Sequence, residues 1–143
     1  MIWVVIVFGY LLGSIPTAYI AGRLLTGQDI RQMGDGNMGA ANVFRELGSK
    51  AGITVGLIDA MKGSLAILIA QGANVSQPGI LMAGAASILG HNWPVFLDFR
   101  GGRGESTTIG ILLTLIPKPM FILAAPAILT LILSHNVVLT SAV

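Results

Sequence analysis

Residues 2–22 read IWVVIVFGYLLGSIPTAYIAG, and not one of these side chains is charged. At about 1.5 Å per residue, a helix of this length crosses the roughly 30 Å hydrocarbon core of a bilayer. The stretch does not fit a signal peptide, because no basic segment precedes it and further apolar segments follow it. Four small residues would form a helix-packing face: Gly9, Gly13, Ser14 and Thr17. The sequence therefore predicts a membrane-spanning helix at the amino end.

The composition of the whole chain supports a membrane protein. Of its 143 residues, 54% are hydrophobic and only 10% are charged, whereas soluble domains carry about 25% charged residues. Further apolar segments are predicted at residues 53–72, 80–96, 106–116 and 120–139. Segment 106–116 is too short to cross a bilayer unaided, and we expect it to be tilted or partly re-entrant. The predicted fold is all-α: a single polytopic membrane domain over 1–143, with about five membrane segments and two glycine-rich loops.

The basic residues predict how the chain is oriented in the membrane. Residues 26–52 carry Arg31, Arg45 and Lys50, and residues 92–104 carry Arg100 and Arg103, whereas residues 72–79 carry no charge. Because Lys and Arg near spans mark the cytoplasmic side, both basic loops should be cytoplasmic. We therefore expect a multi-pass protein of the cell membrane, with its amino terminus outside.

The first of these loops contains a candidate anion site. Residues 34–45 read GDGNMGAANVFR, in which the glycine spacing G-x-G-x-x-G occurs. A dinucleotide-binding fold would require flanking β-strands, and membrane helices flank this stretch instead. Glycines still let the backbone approach an anion, and Asn37, Asn42 and Arg45 add donors. The alternative is a flexible linker whose Arg45 contacts lipid headgroups.

The second loop combines glycines, arginines and the start of a helix. Residues 90–108 read GHNWPVFLDFRGGRGESTT. Free amides at a helix start, together with Arg103, would bind an anion, although the spacing is not that of a Walker A loop. The alternative is that the basic residues only set the orientation of the chain in the membrane, and that Ser106 is a plain helix cap. His91, an ionisable side chain beside this polar loop, is interpreted as functional.

Other side chains indicate what the site does not use. Asp59 and Lys62 lie three residues apart on one helix face and should neutralise each other. His91 and His135 are 44 residues apart without a carboxylate cluster, so no metal site is expected. Neither a serine-nucleophile motif nor a nucleic-acid-binding pattern is present. His135 has no predicted role.

Taken together, the motifs resemble those of one family, the bacterial acyl-phosphate:glycerol-3-phosphate acyltransferases. The matching segments follow in order along the chain: Leu11–Pro16, Gly34–Asn42 with Arg45, Asp59 with Lys62 and Gly63, Gly90–His91 with Pro94 and Phe96, and Arg100–Gly104. The resemblance implies transfer of a fatty acyl group from acyl phosphate to sn-glycerol 3-phosphate at the inner membrane. The products would be 1-acylglycerol 3-phosphate and phosphate, at the entry to phospholipid synthesis.

The resemblance also implies site residues and partners. Catalytic roles would belong to His91, Arg103 and Arg45. Substrate-binding roles would belong to a wider set: Asp35, Asn37, Asn42, Arg45, Gly101, Gly102, Arg103 and Ser141. The expected partners are the two substrates and membrane lipids, with no nucleic acid, cofactor or metal, and the expected state is a monomer.

Four positions depart from the family pattern. Asp35 replaces a serine, Ala41 a threonine, Arg103 a lysine, and Glu105 a small apolar residue. The family also continues through two further spans to a basic carboxy-terminal motif, so we expect these residues to form the amino-terminal part of a seven-span fold. Two alternatives remain open: a diverged or truncated non-catalytic membrane protein, or half of a phosphate or anion transporter. A transporter should carry broken helices and charge near the bilayer midplane in both halves.

Overall fold

A computed structural model describes the backbone of residues 1–133 and the side chains through residue 126. All regular structure in this range is helical, which confirms the predicted fold class. The α-helices are α1 Ile2–Gly13, α2 Thr17–Thr26, α3 Ala40–Leu47, α4 Ser49–Gly72, α5 Gln77–Asn92, α6 Glu105–Leu115 and α7 Pro117–Leu133. Two short 3-10 helices cover Ile30–Gln32 and Val95–Leu97.

Within residues 1–133, three segments are long and apolar enough to cross a membrane. They are Ile2–Thr26, Ser49–Gly72 and Gln77–Leu97, of 25, 24 and 21 residues. Helix α6 has only 11 residues, in keeping with the short fourth segment. Helix α7 begins at Pro117, three residues before the predicted start, because proline is well tolerated in the first turn of a helix. The total of about five spans stays a prediction.

The first membrane segment is broken, where the sequence predicted one continuous helix. Helix α1 ends at Gly13 and α2 begins at Thr17, since Pro16 lacks an amide hydrogen and its ring clashes with the preceding turn. Lys62 of α4 donates from its Nζ to the carbonyl oxygens of Gly13, at 3.3 Å, and Ile15, at 2.7 Å. The ammonium thus bonds two carbonyl oxygens at the interruption: that of Gly13, and that of Ile15, which also accepts the amide hydrogen of Thr17.

Small residues bring the helices into close contact. A Cβ at Gly13 of α1 would meet the carbonyl oxygen of Ser87 on α5, and a Cβ at Gly63 of α4 would meet that of Thr107 on α6. Gly9 and Gly13 are buried together with Ser14 and Thr17, so the predicted small-residue face is confirmed. Backbone-to-backbone packing of this kind is how helices associate in lipid.

We expect Gly63→Ala to destabilise the fold, because its methyl group would push α4 away from α6. Overpacking of a tight core costs about 1–3 kcal/mol, measurable as earlier thermal unfolding in detergent. Gly72→Ala is the matched control, since a Cβ there meets nothing within 4 Å in the described structure. Equal melting behaviour of the two variants would contradict the close packing.

The long first connection holds a helix that the sequence interpretation missed. Helix α3 buries Asn42 and Val43 and exposes Phe44. A hydrophobic cluster lies beneath it, formed by Ala18, Ile30, Met38, Val43 and Val55. This cluster anchors the glycine-rich segment onto α2 and α4, which places it at one fixed end of the bundle.

Candidate active site

The two glycine-rich loops meet at one end of the helices around a cavity of about 310 Å³, here called the loop cavity. Its lining includes five of the predicted site residues: Asp35, Asn37, Arg45, His91 and Arg103. These residues come from segments up to 68 positions apart in sequence. The prediction that the two loops share one face of the protein is confirmed.

Arg31 ties the two loops together. Its guanidinium bonds the Asp29 carboxylate, with Nη2 2.7 Å from Oδ2, and its Nη1 donates to the carbonyl oxygen of Leu97 at 3.4 Å. The hydrogen bond from Arg31 is the main cause that holds the pKa of Asp29 below its ordinary value. Asp29 is buried and therefore keeps the arginine fixed. The relative position of the loops is thus set by a charged contact outside the loop cavity.

Asn42 shapes the first loop from beneath. Its Nδ2 donates to the carbonyl oxygens of Met33, at 3.1 Å, and Asn37, at 3.0 Å, and its Oδ1 accepts from the amide of Asp35 at 3.3 Å. The side chain is fully buried and does not line the loop cavity. The structure therefore places Asn42 in support of the loop, and its predicted substrate contact stays a prediction.

Asp35 and Arg45 form a salt bridge at the edge of the loop cavity. Nη2 of Arg45 lies 2.7 Å from Oδ2 of Asp35, and the side chains are 41% and 45% exposed. The other carboxylate oxygen of Asp35 accepts a hydrogen bond from the amide of Asn37 at 2.9 Å. The Asp35 carboxylate is thus paired with Arg45, the arginine that the sequence predicted to bind a phosphate.

The opposite wall carries a free cation beside a helix start. Arg103 is exposed and forms no salt bridge within the part of the chain that the structure describes. Helix α6 begins next to it, with Gly104 in a left-handed conformation at φ 74° and no side-chain cap. Amides of the first turn of a helix attract anions. Glu105 and Ser106 also line this wall, and the sequence interpretation had not placed either in the site.

Gly101 and Gly102 hydrogen-bond to the end of α5. Their amides donate to the carbonyl oxygens of Asn92, at 3.0 Å, and His91, at 3.1 Å. A Cβ at Gly102 would meet Nε2 of His91, and one at Gly101 would meet the His91 carbonyl oxygen. Neither glycine lines the loop cavity. They let the loop fold tightly onto the end of α5, which positions Arg103, and a direct contact with substrate stays a prediction for both.

A buried polar cluster forms the floor of the loop cavity. The predicted Asp59–Lys62 pair is present, with Nζ 2.7 Å from Oδ1 and both side chains almost wholly buried. Asp59 and His91 line the loop cavity, and Nδ1 of His91 lies 3.8 Å from Oδ1 of Asp59. Asp59 is thus part of the site floor, a role that its spacing to Lys62 could not reveal. Ser141 and His135 lie outside the described residues.

The net charge of the residues that line the loop cavity is closer to zero than the basic loops suggested. Three carboxylates line it: Asp35, Asp59 and Glu105. Lys62 neutralises Asp59 and Arg45 neutralises Asp35. Within the described range, no three His, Asp or Glu side chains converge as metal ligands would. The arrangement suits an anion held by Arg103 and helix amides, with Arg45 available only if it leaves Asp35.

Comparison with known proteins assigns the chain to a family. The family model described as glycerol-3-phosphate acyltransferase matches residues 3–143. The chain belongs to the glycerol-3-phosphate acyltransferase family. The family resemblance of the sequence motifs is thereby confirmed.

Two relatives of this family match most of the chain. Glycerol-3-phosphate acyltransferase 4 of Dehalococcoides mccartyi is 49% identical over 138 residues, which are 96% of this chain and 75% of that protein. Glycerol-3-phosphate acyltransferase 2 of Moorella thermoacetica is 47% identical over 116 residues, 81% of this chain and 59% of that one.

The crystal structure of PlsY (YgiH), an integral membrane glycerol 3-phosphate acyltransferase in its glycerol 3-phosphate form, superposes with a TM-score of 0.79. Its sequence identity is 38%, and the match covers 85% of this chain and 60% of that structure. This chain thus spans about three fifths of a solved acyltransferase of the family and is an integral membrane protein like it.

Proposed function

We propose that the protein containing this chain transfers a fatty acyl group from acyl phosphate to glycerol 3-phosphate. The observation that carries the proposal is the loop cavity, in which Arg103, Arg45, His91 and the start of α6 converge. Relatives named glycerol-3-phosphate acyltransferase support the acceptor, and the motif resemblance supports the donor. Both substrates carry phosphate, the anion that arginine forks and helix amides bind well.

The proposed reaction requires little from the protein beyond position and charge. A hydroxyl of glycerol 3-phosphate attacks the acyl carbonyl, the new ester bond forms, the anhydride bond to phosphate breaks, and the hydroxyl proton ends on the phosphate released. An acyl phosphate is a mixed anhydride with a good leaving group, so orientation and stabilisation of developing negative charge supply most of the acceleration. In this proposal Arg103 and the α6 amides hold one phosphate, and Arg45 the other.

The test is the reaction itself, measured in the full-length protein in proteoliposomes. We expect phosphate release from palmitoyl phosphate to depend on glycerol 3-phosphate and to yield 1-acylglycerol 3-phosphate. Release that ignores the acceptor, or no release from a folded protein, would contradict the proposal. We also propose that a monomer is sufficient for activity.

A non-catalytic relative is the second candidate, and one observation favours it. The salt bridge between Asp35 and Arg45 occupies a predicted phosphate donor. A protein of this kind would not turn over acyl phosphate in the assay above. Thermal stabilisation by glycerol 3-phosphate would still occur if Arg103 alone binds the phosphate.

We further propose that both loops are cytoplasmic and the amino terminus is outside. Gln32 lies in the first loop, and Asn74 lies in the turn between α4 and α5, at the far end of a 24-residue helix. The 143 residues contain no cysteine, so a single introduced cysteine is the one thiol in them that a reagent can label.

A membrane-impermeant thiol reagent should therefore label Asn74→Cys from outside intact cells, and Gln32→Cys only after the membrane is opened. Native cysteines of a longer product, if there are any, are first changed to serine. Labelling of both positions from the same side would overturn the orientation.

A further inference from the structure

A single buried ammonium links the break in the first span to the floor of the loop cavity. Nζ of Lys62 lies 2.7 Å from Oδ1 of Asp59 and 2.7 Å from the carbonyl oxygen of Ile15. Lys62 is 4% and Asp59 1% exposed. A buried charge keeps its position when it is paired and hydrogen-bonded on several sides. Through Lys62, Asp59 is therefore held relative to the break between α1 and α2 as well as to its own helix.

The held carboxylate faces one ring edge of His91. Nδ1 of His91 lies 3.8 Å from Oδ1 of Asp59. A second, small cavity of about 10 Å³, lined among others by Asp59, His91, Ser14 and Thr17, adjoins this pair. The hydroxyls of Ser14 and Thr17 are buried there without a partner among the described residues. The pair of Asp59 and His91 thus lies beside two unpartnered hydroxyls and beside Lys62, which lines the same cavity.

The other ring edge of His91 faces the loop that carries Arg103. Nε2 of His91 is packed against the backbone of Gly102, where no Cβ would fit. The carbonyl oxygen of the same histidine accepts the amide hydrogen of Gly102 at 3.1 Å. His91 consequently lies between a fixed carboxylate and a tightly folded loop, and it lines the loop cavity.

We propose that Asp59 is a positioning residue for His91, held in place by Lys62. The carboxylate accepts the Nδ1 hydrogen, after a ring shift of about 1 Å that brings the pair to hydrogen-bond distance. The neutral ring then carries its proton on Nδ1, which leaves the lone pair of Nε2 directed toward Gly102 and the loop cavity. The partner of one ring nitrogen sets the state of the other in this way. The catalytic consequence rests on the proposed function, whereas the protonation pattern does not.

The competing interpretation is that the pair only stabilises the broken span. Asp59→Leu/Lys62→Gln separates the two, because it removes both buried charges and the acceptor for His91 while the introduced glutamine keeps an amide donor for the carbonyl oxygen of Ile15. If the pair is purely structural, a folded double variant should retain normal turnover. If Asp59 positions His91, a folded double variant should lose turnover.

The experiment has two independent measurements on the full-length protein. Ring ¹⁵N spectra of histidine-labelled protein, assigned with His91→Gln and recorded where the ring is neutral, report which nitrogen carries the proton. We expect the hydrogen on Nδ1 in the unmodified protein and on Nε2 in the double variant. Steady-state kinetics should show kcat at least about tenfold lower in the double variant, because a misoriented His91 ring no longer helps to orient the substrates, with KM for glycerol 3-phosphate changed less than about twofold.

Each outcome decides one question. A proton on Nε2 in the unmodified protein overturns the proposal without any variant, even if the double variant fails to fold. A shifted proton with unchanged kcat also overturns it, because the contact would then have no catalytic consequence. The expected ring state in a protein without acyl transfer would refute the proposed function and leave the contact between Asp59 and His91 established.

Discussion

Arg103→Ala is expected to lower kcat/KM for glycerol 3-phosphate by roughly 10- to 150-fold. The exposed guanidinium is free of carboxylate partners in the described structure and stands beside the start of α6. A lost charged hydrogen bond in a partly shielded site is worth about 1.5–3 kcal/mol, which gives that range. Initial rates against acceptor concentration, in the full-length protein, provide the measurement.

Arg100→Ala is the matched control for this prediction. Arg100 lies three positions earlier in the same exposed loop, but it lines a neighbouring polar cavity of about 390 Å³ instead of the loop cavity. Its removal takes away the same charge from the same loop. We expect Arg100→Ala to change kcat/KM less than about threefold, because exposed charges act weakly through water. An equal loss in both variants would mean that general loop charge, and not a contact from Arg103, promotes the reaction.

Arg103→Lys tests the geometry of the same contact. Lysine keeps the charge but replaces a planar fork by a single point donor. The family motif has a lysine at this position, so we expect Arg103→Lys to keep most of the activity that Arg103→Ala loses. Initial rates that stay close to those of the unmodified protein would show that the site requires a cation here more than it requires a particular fork.

The sequence could predict the features that depend on local pattern. Long apolar stretches identified the segments that became α1–α2, α4 and α5, and three-residue spacing identified the pair of Asp59 and Lys62. The positions of Gly9 and Gly13 identified the face that α5 covers. Each of these depends on residues within one helix, where periodicity fixes which side chains share a face.

The features that depend on distant contacts could not be predicted in the same way. The partners of Lys62 at Gly13 and Ile15 lie 49 and 47 residues away, and no periodicity connects them. The amides of Gly101 and Gly102 looked available because only the fold shows that the carbonyl oxygens of α5 already accept them. Helix α3 has eight residues and was hidden in a polar connection, since a helix that short depends on the cluster beneath it.

Asp35→Ser is expected to raise activity, because it releases Arg45 for the substrate. The salt bridge between Arg45 and Asp35 is at the edge of the loop cavity, and a phosphate there must compete with the carboxylate. Two like charges 4 Å apart repel by about 4 kcal/mol at an effective dielectric of 20. Both side chains are roughly half exposed, so water and salt reduce the effect to about 1 kcal/mol. The remaining repulsion of about 1 kcal/mol corresponds to roughly a fivefold lower KM for glycerol 3-phosphate in the serine variant.

Serine is the informative replacement because it keeps the turn while it removes the charge. The Asp35 carboxylate also accepts the amide hydrogen of Asn37 at 2.9 Å, and a serine hydroxyl makes the same local turn. Asp35→Ala removes charge and turn together, so it should gain less than Asp35→Ser. Glu46→Gln is the charge control, since Glu46 is an exposed carboxylate of α3 that does not line the loop cavity. Lower activity in Asp35→Ser would show that the carboxylate promotes the reaction, for example by orienting the acceptor hydroxyl. The replacement of the family serine by Asp35 would then be favourable for activity in this protein.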